Sequence, residues 1–407
     1  MALALGALWA WSVYDKAVIS YYSSKYKPAP LPKEPSYSPA DVSIIVPTID
    51  TESTFTECMR LWLKSKPREV IIVTVERNRD RIVRLLEPLK EDADKIVILC
   101  APLANKRVQL VVGVKAARGS ILALVDDDVY WRAAGVLPYL LAPFENAKVG
   151  AVAGIQSAEI RTDRQDPNVI TVWEATSTYD LCQWKGSREV HFAADGGCWC
   201  LSARTLLIRA SILQDPSFVN TYTHEIIGHK LVNTADDVVL TGWVFDSGWE
   251  VFIQNVPEAE ITTNIPEDHK FALQILRWDR GNFRTFLGYI FVHPGLPKLM
   301  RRHPYTTFKM IERLARPIQA LMYLWAWLQT LSTVPWIAFA FLAWVIGGWG
   351  GWVSSYKSFL KKYPYCGRQW WGFIVMDLFG PVVDIYVYFT MNNDSWLTRV
   401  ADIQEMK

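Results

Sequence analysis

Long apolar segments lie at both ends of the chain and flank a middle region of mixed polarity. Residues 317–356 carry no charged side chain over 40 positions, whereas residues 369–393 carry only Asp377 and Asp384. One bilayer crossing needs about 20 apolar helical residues. The first segment is therefore long enough for two crossings, with Pro335 and the glycines at 347–351 as natural breaks. The second predicts one more crossing, in which both aspartates must face protein or water. Pairing with basic partners is favoured over the lining of a polar path.

The N-terminal residues 1–22 are also apolar, apart from Asp15 and Lys16. A signal peptide would begin with a basic region, so the sequence predicts a retained membrane anchor over residues 1–24. Residues 25–40 contain five prolines and three lysines, which is typical of an extended linker. The positive-inside tendency then predicts that the following domain lies in the cytosol, with the N-terminus on the other side.

Short β-branched runs alternate with helical patterns between residues 41 and 285. The runs at 42–47, 70–75, 96–100 and 121–125 predict strands, and the segments near 52–65, 79–90 and 105–118 predict helices. Such repetition favours an α/β fold with a parallel sheet covered on both faces. After this domain, residues 286–316 predict interfacial helices, residues 317–393 a transmembrane region, and residues 394–407 a C-terminal tail.

The composition of the chain argues against several classes of protein. The chain has 43 Lys and Arg against 41 Asp and Glu, a net charge of +2. This balance gives no electrostatic footprint for nucleic acid. Six cysteines without a Cys-x-x-Cys pair fit neither a disulfide scaffold nor a zinc ribbon, so a reducing, cytosol-facing compartment is the expectation.

The ends of the predicted strands are unusually acidic. Asp50 and Glu76 follow the first two strands, and Asp126, Asp127 and Asp128 follow the fourth. Ligands of parallel sheets gather at the carboxyl ends of the strands. The sequence has neither a Gly-x-Gly-x-x-Gly nor a Walker loop, so carboxylates that hold a nucleotide through a metal are the alternative. A solvated turn explains three aspartates equally well when they are taken alone.

Two further motifs have both a chemical and a plain structural interpretation. Asp236 and Asp237 open the helical pattern DDVVLTGWVF, where they could cap a helix or supply a general base. Gln274, Arg277 and Trp278 stand on one helical face in QILRW, either as a membrane-edge anchor or as ligands for a diphosphate and a sugar.

In this order, the motifs resemble those of the membrane-embedded family 2 glycosyltransferases, which include the hyaluronan, cellulose and chitin synthases and their fungal type 2 glycosyltransferase relatives. The resemblance extends from residue 41 to residue 278 and again near the C-terminus. It implies a cytosolic GT-A-type domain that binds a UDP-sugar and Mn²⁺ or Mg²⁺.

The resemblance also implies roles for donor-binding residues. Asp50 would lie near the uracil or ribose and Glu76 near the base, although the family usually has Asp at the latter position. Lys106, in Asn-Lys-Arg, would contact the nucleotide. Asp126 would bind ribose and metal, Asp128 the metal, and Arg277 the diphosphate.

On the acceptor side, ADDVVLTGW is similar to the motif whose last acidic residue is the general base, so Asp237 is expected to be the base and Asp236 its supporting neighbour. Gln274 and Trp278 would line the acceptor site. Gly196, Gly197 and Cys198 look like the family's small-residue loop beneath the acceptor sugar, although Cys198 and Trp199 depart from the usual residues and a structural turn is the alternative.

Near the C-terminus, Ser395-Trp396-Leu397-Thr398-Arg399 resembles the gating loop of hyaluronan synthases, which implies that Trp396 and Arg399 close over the nucleotide. A cytosolic loop there requires an even number of crossings after the catalytic domain. The apolar segments predict three, so either one segment is re-entrant or this match is false.

The function implied by the resemblance is that of a processive inverting glycosyltransferase. Such an enzyme would polymerise a cell-surface polysaccharide from a UDP-sugar and translocate it, in the plasma membrane or secretory pathway, in contact with membrane lipids. The alternative is a non-processive transfer to a lipid such as ceramide. A membrane-bound nucleotide sensor is disfavoured, since binding alone needs no separate base. The sugar and the oligomeric state remain open.

Overall fold

The structure is a computed structural model that describes residues 2–227, 230–232, 234–349, 351–393, 395 and 397. The strands are β1 Val42–Pro47, β2 Glu69–Thr74, β3 Ile96–Cys100, β4 Ile121–Val125, β5 Val129–Tyr130, β6 Val149–Gly154, β7 Gln156–Glu159, β8 Thr205–Arg209, β9 Ile226–Ile227, β10 Lys230–Leu231, β11 Glu250–Gln254 and β12 Ile261–Asn264. The helices are α1 Ala2–Lys25, α2 Phe55–Lys64, α3 Arg79–Leu86, α4 Lys106–Ala116, α5 Val136–Leu141, α6 Val172–Asp195, α7 Ala210–Leu213, α8 Pro216–Thr223, α9 Asp236–Asp246, α10 Lys270–Phe291, α11 Leu296–Arg302, α12 Pro304–Thr333, α13 Pro335–Gly347, α14 Trp352–Lys362 and α15 Trp370–Thr390.

Within the described residues, a seven-stranded sheet forms the centre of the chain in the order β11-β6-β8-β4-β1-β2-β3. The four strands expected from the sequence are confirmed, with β2 placed one residue earlier. The expectation of a wholly parallel sheet is wrong, because β8 runs antiparallel to both β4 and β6. Its first residue, Thr205, pairs with the last residue of β4, Val125, since the chain returns from α6 to the carboxyl edge of β4.

Apolar helices cover both faces of this sheet, as the sequence pattern predicts. One face packs against α2 and α5, whose buried side chains include Trp62 and Leu140. The other face packs against α4, α8 and α9 through residues such as Leu110, Phe218 and Val244. Because β1, β2 and β4 are parallel neighbours, the loops that follow them meet at one edge of the sheet.

The N-terminal segment packs on the rest of the chain through its few polar groups. Asp15 of α1 lies 2.5 Å from Lys309 Nζ of α12, and Lys16 donates to the Trp349 carbonyl at 3.1 Å. The extended residues 26–38 lie beside β11, where Gln254 makes two 2.9 Å hydrogen bonds with the backbone of Ala29. The expected linker is therefore extended but bound to the α/β domain.

By length and composition, three helical segments among the described residues could cross a membrane: Ala2–Lys25, Pro335–Lys362 and Pro364–Thr390. Helix α12 runs through Pro317 without interruption and so continues across the expected boundary at residue 316. The helical structure is interrupted between Thr333 and Pro335 and again after Gly347. Only the second part of residues 317–356 therefore belongs to a candidate span, where two crossings were expected.

Of the two aspartates in the last apolar segment, Asp384 is paired inside the protein, whereas Asp377 is exposed. Asp384 is fully buried and lies 2.8 Å from Arg313, with Arg316 also bonded to it. Arg313 in turn lies 2.7 Å from Asp279 on α10. Asp377 accepts a hydrogen bond from Tyr356 at 3.1 Å. This network connects α15 and α12 to α10, the helix that carries QILRW.

Candidate active site

A cavity of about 180 Å³ opens at the carboxyl edge of β1 and β4. It is lined by most of the polar motifs that the sequence indicates. Its lining includes Lys106, Asp126, Asp127, Asp128, Asp236, Asp237, Gln274, Arg277 and Trp278, together with Trp184, Arg188, Cys200 and Arg204. Segments that lie 172 residues apart in the chain, at Lys106 and Trp278, therefore converge on one site.

The three aspartates after β4 do not have equivalent surroundings. Asp127 is buried and accepts a 2.5 Å hydrogen bond from Thr48 Oγ1 of the β1 loop. Asp126 and Asp128 stand on either side of it, and both line the cavity. The Asn264 amide donates to the Asp128 carbonyl at 3.3 Å, which holds the turn against β12. Asp127 therefore anchors the turn, while its two neighbours supply carboxylates to the cavity.

Lys106 links two of the acidic motifs. Its Nζ lies 2.9 Å from Asp126 and 2.8 Å from Asp236. The lysine begins α4, where the Asn105 side chain accepts hydrogen bonds from two backbone amides and caps the helix. Burial opposes the charge, but the two carboxylates outweigh burial and raise the pKa of Lys106. The site therefore holds a fixed cation between the β4 turn and the start of α9.

The two aspartates that begin α9 have pKa shifts of opposite direction. Burial would raise the pKa of Asp236, but Lys106 outweighs that effect and lowers it. Burial and the charge on Asp236 together raise the pKa of Asp237, whose carboxylate accepts a hydrogen bond from the Val238 amide at 2.9 Å. Asp236 is thus held as an anion, and Asp237 is the better proton acceptor.

Helix α10 contacts α9 at two close approaches. Tyr289 donates to the Val238 carbonyl at 3.0 Å, and a Cβ added to Gly242 would lie 1.7 Å from that tyrosine oxygen. A Cβ added to Gly281 would lie 2.8 Å from Ala235 Cβ, next to the aspartates. These contacts fix the distance between the pair Asp236–Asp237 and the QILRW face.

That QILRW face brings cationic and aromatic groups to the cavity. Gln274, Arg277 and Trp278 all line it, as the sequence predicts for one helical face. Burial lowers the pKa of Arg277, although the nearby Asp236 and Asp126 oppose that effect. Arg204, from the loop before β8, stacks over the Trp278 ring at 5.1 Å. Together these groups add basic and aromatic side chains to the lining that also contains Asp126 and Asp128.

Asp50 and Glu76 lie at the same sheet edge but do not line the cavity. Both are exposed. Their loops are held next to the start of α4 by a small buried cluster of Ile49, Val75 and Ala104. They therefore stand at the outer side of the site, where a longer ligand would extend from the cavity.

The loop with Gly196, Gly197 and Cys198 makes contacts with neighbouring helices and not with the active-site cavity. Gly196 ends α6 with a left-handed φ of 69°. Asp195 accepts hydrogen bonds from the amides of Gly197 and Thr306, both at 2.9 Å, and so ties this loop to α12. None of the three residues lines the active-site cavity, and Cys198 instead lines a separate small cavity. Trp396 and Arg399 lie outside the described residues.

Several residues that line the cavity were not predicted from the sequence. Cys200 lines the cavity two positions after Cys198, and its thiol hydrogen-bonds to Asp237. Trp184 and Arg188 reach the cavity from α6, and their i, i+4 spacing could have indicated a shared helical face. No comparable signal marks Cys200, because its position depends on the path of the chain between α6 and β8.

The donor set fits a divalent cation of the magnesium or manganese type. Within the described residues, no group of three or more His, Cys, Asp or Glu side chains could hold a metal by itself. Mg²⁺ is commonly held by one or two carboxylates together with substrate phosphates, and carboxylate oxygens also suit Mn²⁺. Asp126 and Asp128 provide such a pair in the cavity.

Comparison with known proteins agrees with this fold. Residues 39–281 match the family described as glycosyltransferase like family 2. The chain is 71% identical over its whole length, and over the whole length of the relative, to the NDP-glycosyltransferase ltbB of Aspergillus luteorubrus. It is 33% identical to a type 2 glycosyltransferase of Zymoseptoria tritici over 70% of this chain, and the match spans 60% of that relative.

Among solved structures, the mannosyltransferase PcManGT from Pyrobaculum calidifontis, in complex with GDP-Man and Mn²⁺, has a similar fold. The TM-score is 0.60 at 17% identity, over 98% of this chain and 99% of that one. The chain therefore belongs to glycosyltransferase family 2 and has a GT-A-like α/β fold. It is a glycosyltransferase that uses a nucleotide sugar as donor.

Proposed function

We propose that this glycosyltransferase carries out an inverting transfer from a UDP-sugar to a hydroxyl group of a membrane-borne acceptor. The observation that carries the proposal is the arrangement of one cavity. Asp126 and Asp128 line it, and Lys106 connects Asp126 to Asp236, the neighbour of Asp237, whose pKa is raised. Binding alone would need the first set, whereas transfer needs both.

In this proposal, the donor lies along the sheet edge. Asp50 and Glu76 contact the nucleoside, and Asp126 contacts the ribose. Asp126 and Asp128 would hold Mn²⁺ or Mg²⁺, which when bound stabilises negative charge on the departing diphosphate. Lys106 and Arg277 supply fixed positive charge to the same phosphates.

Asp237 acts on the acceptor. Its carboxylate takes the proton from the acceptor hydroxyl as that oxygen forms a bond to the anomeric carbon. The bond from the anomeric carbon to the diphosphate breaks on the opposite face, and its electron pair leaves with UDP. One displacement inverts the configuration and needs one carboxylate base, in contrast to the two carboxylates of glycosidases. Asp236 keeps Lys106 in place beside this base.

The membrane part of the proposal rests on the apolar helices. α1 and two candidate spans after the catalytic domain have the length and composition of bilayer crossings. Two crossings after the domain would return the C-terminus to the cytosol and so remove the parity conflict for a gating loop at 395–399. We propose a cytosolic catalytic domain in a membrane of the secretory pathway or the plasma membrane.

Two acceptors follow from the sequence. We favour a single transfer to a lipid-like acceptor, because the space next to Trp278 on the side of α15 is largely apolar. Processive synthesis and translocation of a cell-surface polysaccharide is the second candidate. It is favoured by Trp184 and Trp278, whose rings line the cavity where a sugar chain could stack.

The test is UDP release by the detergent-purified full chain with Mn²⁺ or Mg²⁺, offered each radiolabelled UDP-sugar alone and with a lipid extract. Label in the organic phase, dependent on added lipid, would support the lipid acceptor. Label in a high-molecular-weight polymer would support the second candidate. Failure to bind or turn over any UDP-sugar, while another nucleotide sugar is consumed, would contradict the proposed donor.

A further inference from the structure

A second cavity, larger than the first, lies on the side of the site that faces the C-terminal helices. Its volume is about 640 Å³, within the range of 300–1,000 Å³ that is usual for ligand pockets. Helices α6, α10, α12 and α15 form its walls. Most of the lining is apolar, as the side chains of Trp173, Phe271, Ile275, Val375, Phe379 and Val383 illustrate.

The larger cavity adjoins the active-site cavity directly. Trp184 of α6 and Trp278 of α10 line both of them. The opposite wall is α15, which belongs to one of the candidate membrane spans. A molecule in this space would therefore reach from the lipid-facing helices to the residues around Asp237.

The cavity is lined by a residue with an unsatisfied carboxylate oxygen. The indole N–H of Trp184 donates to the Asp180 carboxylate, but among the described residues Asp180 Oδ2 has no hydrogen-bond partner and is buried. A buried polar atom without a partner costs about 1–3 kcal/mol. Since Asp180 lines the larger cavity, a rotation of its carboxyl group would bring this oxygen to a ligand with an O–H or N–H group that supplies the missing donor.

The charges of the lining argue against a phosphate. Both arginines that line the cavity are engaged by carboxylates, Arg313 by Asp279 and Asp384 and Arg316 by Asp384. Asp180 and Asp377 add two further acidic side chains. An anionic head group would face these carboxylates, and the described lining offers no further cation to pair with it. An uncharged, hydrogen-bonding head group would match them.

We propose that this cavity is the acceptor site, and that the acceptor is a lipid-like molecule with an apolar body and an uncharged head. One hydroxyl of the head would extend past Trp184 and Trp278 to Asp237, and a second hydroxyl or an amide N–H would donate to Asp180 Oδ2. This inference rests on the proposed transfer reaction and deepens it by defining the acceptor. Asp180 is a positioning residue in this scheme, since it does not contact the reacting atoms.

The location is tested by photolabelling of the full chain in vesicles. A ceramide with a diazirine in its acyl chain serves as the uncharged probe, and a diazirine phosphatidic acid serves as the anionic probe. We expect the ceramide to label α6 and α15 around Trp173 and Val375. Ala272→Trp, which fills the cavity, should reduce this labelling at least tenfold, while Lys270→Trp, on the same helix outside the cavity, should not.

The role of Asp180 is tested by kinetics with C6-ceramide as acceptor. Asp180→Ala should raise the acceptor KM about tenfold and leave the donor KM unchanged. Glu189→Ala, on the same helix but outside the cavity, should leave both KM values unchanged. A role in stability alone would instead lower turnover and thermal stability together.

Equal labelling by both probes, or ceramide labelling that Ala272→Trp does not reduce, would overturn the acceptor site. Because labelling needs no turnover, this failure is separate from that of the proposed function, which would appear as absence of UDP release with intact ceramide labelling.

Discussion

At the scale of single residues, Asp236 and Asp237 are neighbours whose surroundings assign them different tasks. Lys106 holds Asp236 as an anion, while burial and that anion raise the pKa of Asp237. Two adjacent carboxylates shift apart in this way when only one of them has a cation as partner. The direction of the shifts therefore supports the proposal that Asp237 is the base, on grounds that are independent of sequence resemblance.

Asp237→Asn is predicted to abolish transfer without loss of donor binding. An amide cannot accept the proton of the acceptor hydroxyl, and a positioned general base contributes about 10²–10⁴-fold to the rate. Turnover of UDP-sugar and calorimetric binding of UDP with Mn²⁺ measure the two effects. Asp246→Asn at the other end of α9, where the carboxylate lies on the surface near Lys298, is the matched control. Wild-type turnover in Asp237→Asn would exclude it as the base.

The acid limb of the pH–rate profile should report the same residue. Because the pKa of Asp237 is raised, we expect activity to fall as the pH decreases. The midpoint of this fall should lie above about 3.9, the usual pKa of an aspartate. The Cys200 thiol stabilises the ionised carboxylate by a hydrogen bond, so Cys200→Ala should raise that pKa further and move the limb to higher pH. Cys200→Ser keeps a donor and should remain close to wild type. An unchanged limb in Cys200→Ala would argue against the hydrogen bond.

At the scale of elements, the approach of α9 to α10 determines the site. Gly281→Ala would bring a Cβ to 2.8 Å from Ala235 Cβ and push the aspartates away from Arg277. Overpacking of this kind costs about 1–3 kcal/mol, so we predict a lower unfolding temperature and a lower kcat. Ala235 has a φ of 55°, which glycine adopts without strain.

The double variant Ala235→Gly with Gly281→Ala should therefore recover both properties, because the next atom, Ala235 Cα, lies at 3.5 Å from the added Cβ. Thermal unfolding and turnover of the two single variants and the double variant form the cycle. Additive losses would show that the contact does not couple the two helices.

Local patterns in the sequence predict the elements that are stabilised locally. The bounds of β1, β3 and β4 were correct, since each is an apolar run ended by turn residues, and the motifs at 106, 126–128, 236–237 and 274–278 do converge on one cavity. The antiparallel strand β8 was missed, because its pairing with β4 depends on the return of the chain from α6. Cys200 was missed for the same reason, since its contact with Asp237 spans 37 residues of the chain.

At the scale of the whole molecule, the apolar helices are connected to the active site by buried ion pairs. Asp384 of α15 binds Arg313 and Arg316 of α12, and Arg313 also binds Asp279, the residue after Trp278. The hydropathy pattern marks Asp384 as exceptional but not its partners, which lie about 70 residues earlier. A change at this site should therefore affect both the stability of the helices and the geometry of QILRW.

Asp384→Asn is predicted to lower both the stability of the detergent-solubilised protein and its turnover. Removal of one partner from a buried ion pair costs about 3–5 kcal/mol, because Arg316 loses its carboxylate and Arg313 keeps only Asp279. Asp377→Asn is the control on the same helix, since an amide oxygen can still accept the hydrogen bond from Tyr356, and it should have a much smaller effect on the unfolding temperature.

Arg313→Lys separates the two consequences further, since a single ammonium group cannot match the two-sided contact of the guanidinium with Asp279 and Asp384. We expect it to lower kcat more than Asp377→Asn does, because α10 loses a fixed contact next to Trp278. If Asp384→Asn lowered stability while kcat per folded molecule stayed at the wild-type value, the network would stabilise the apolar helices without positioning the active site.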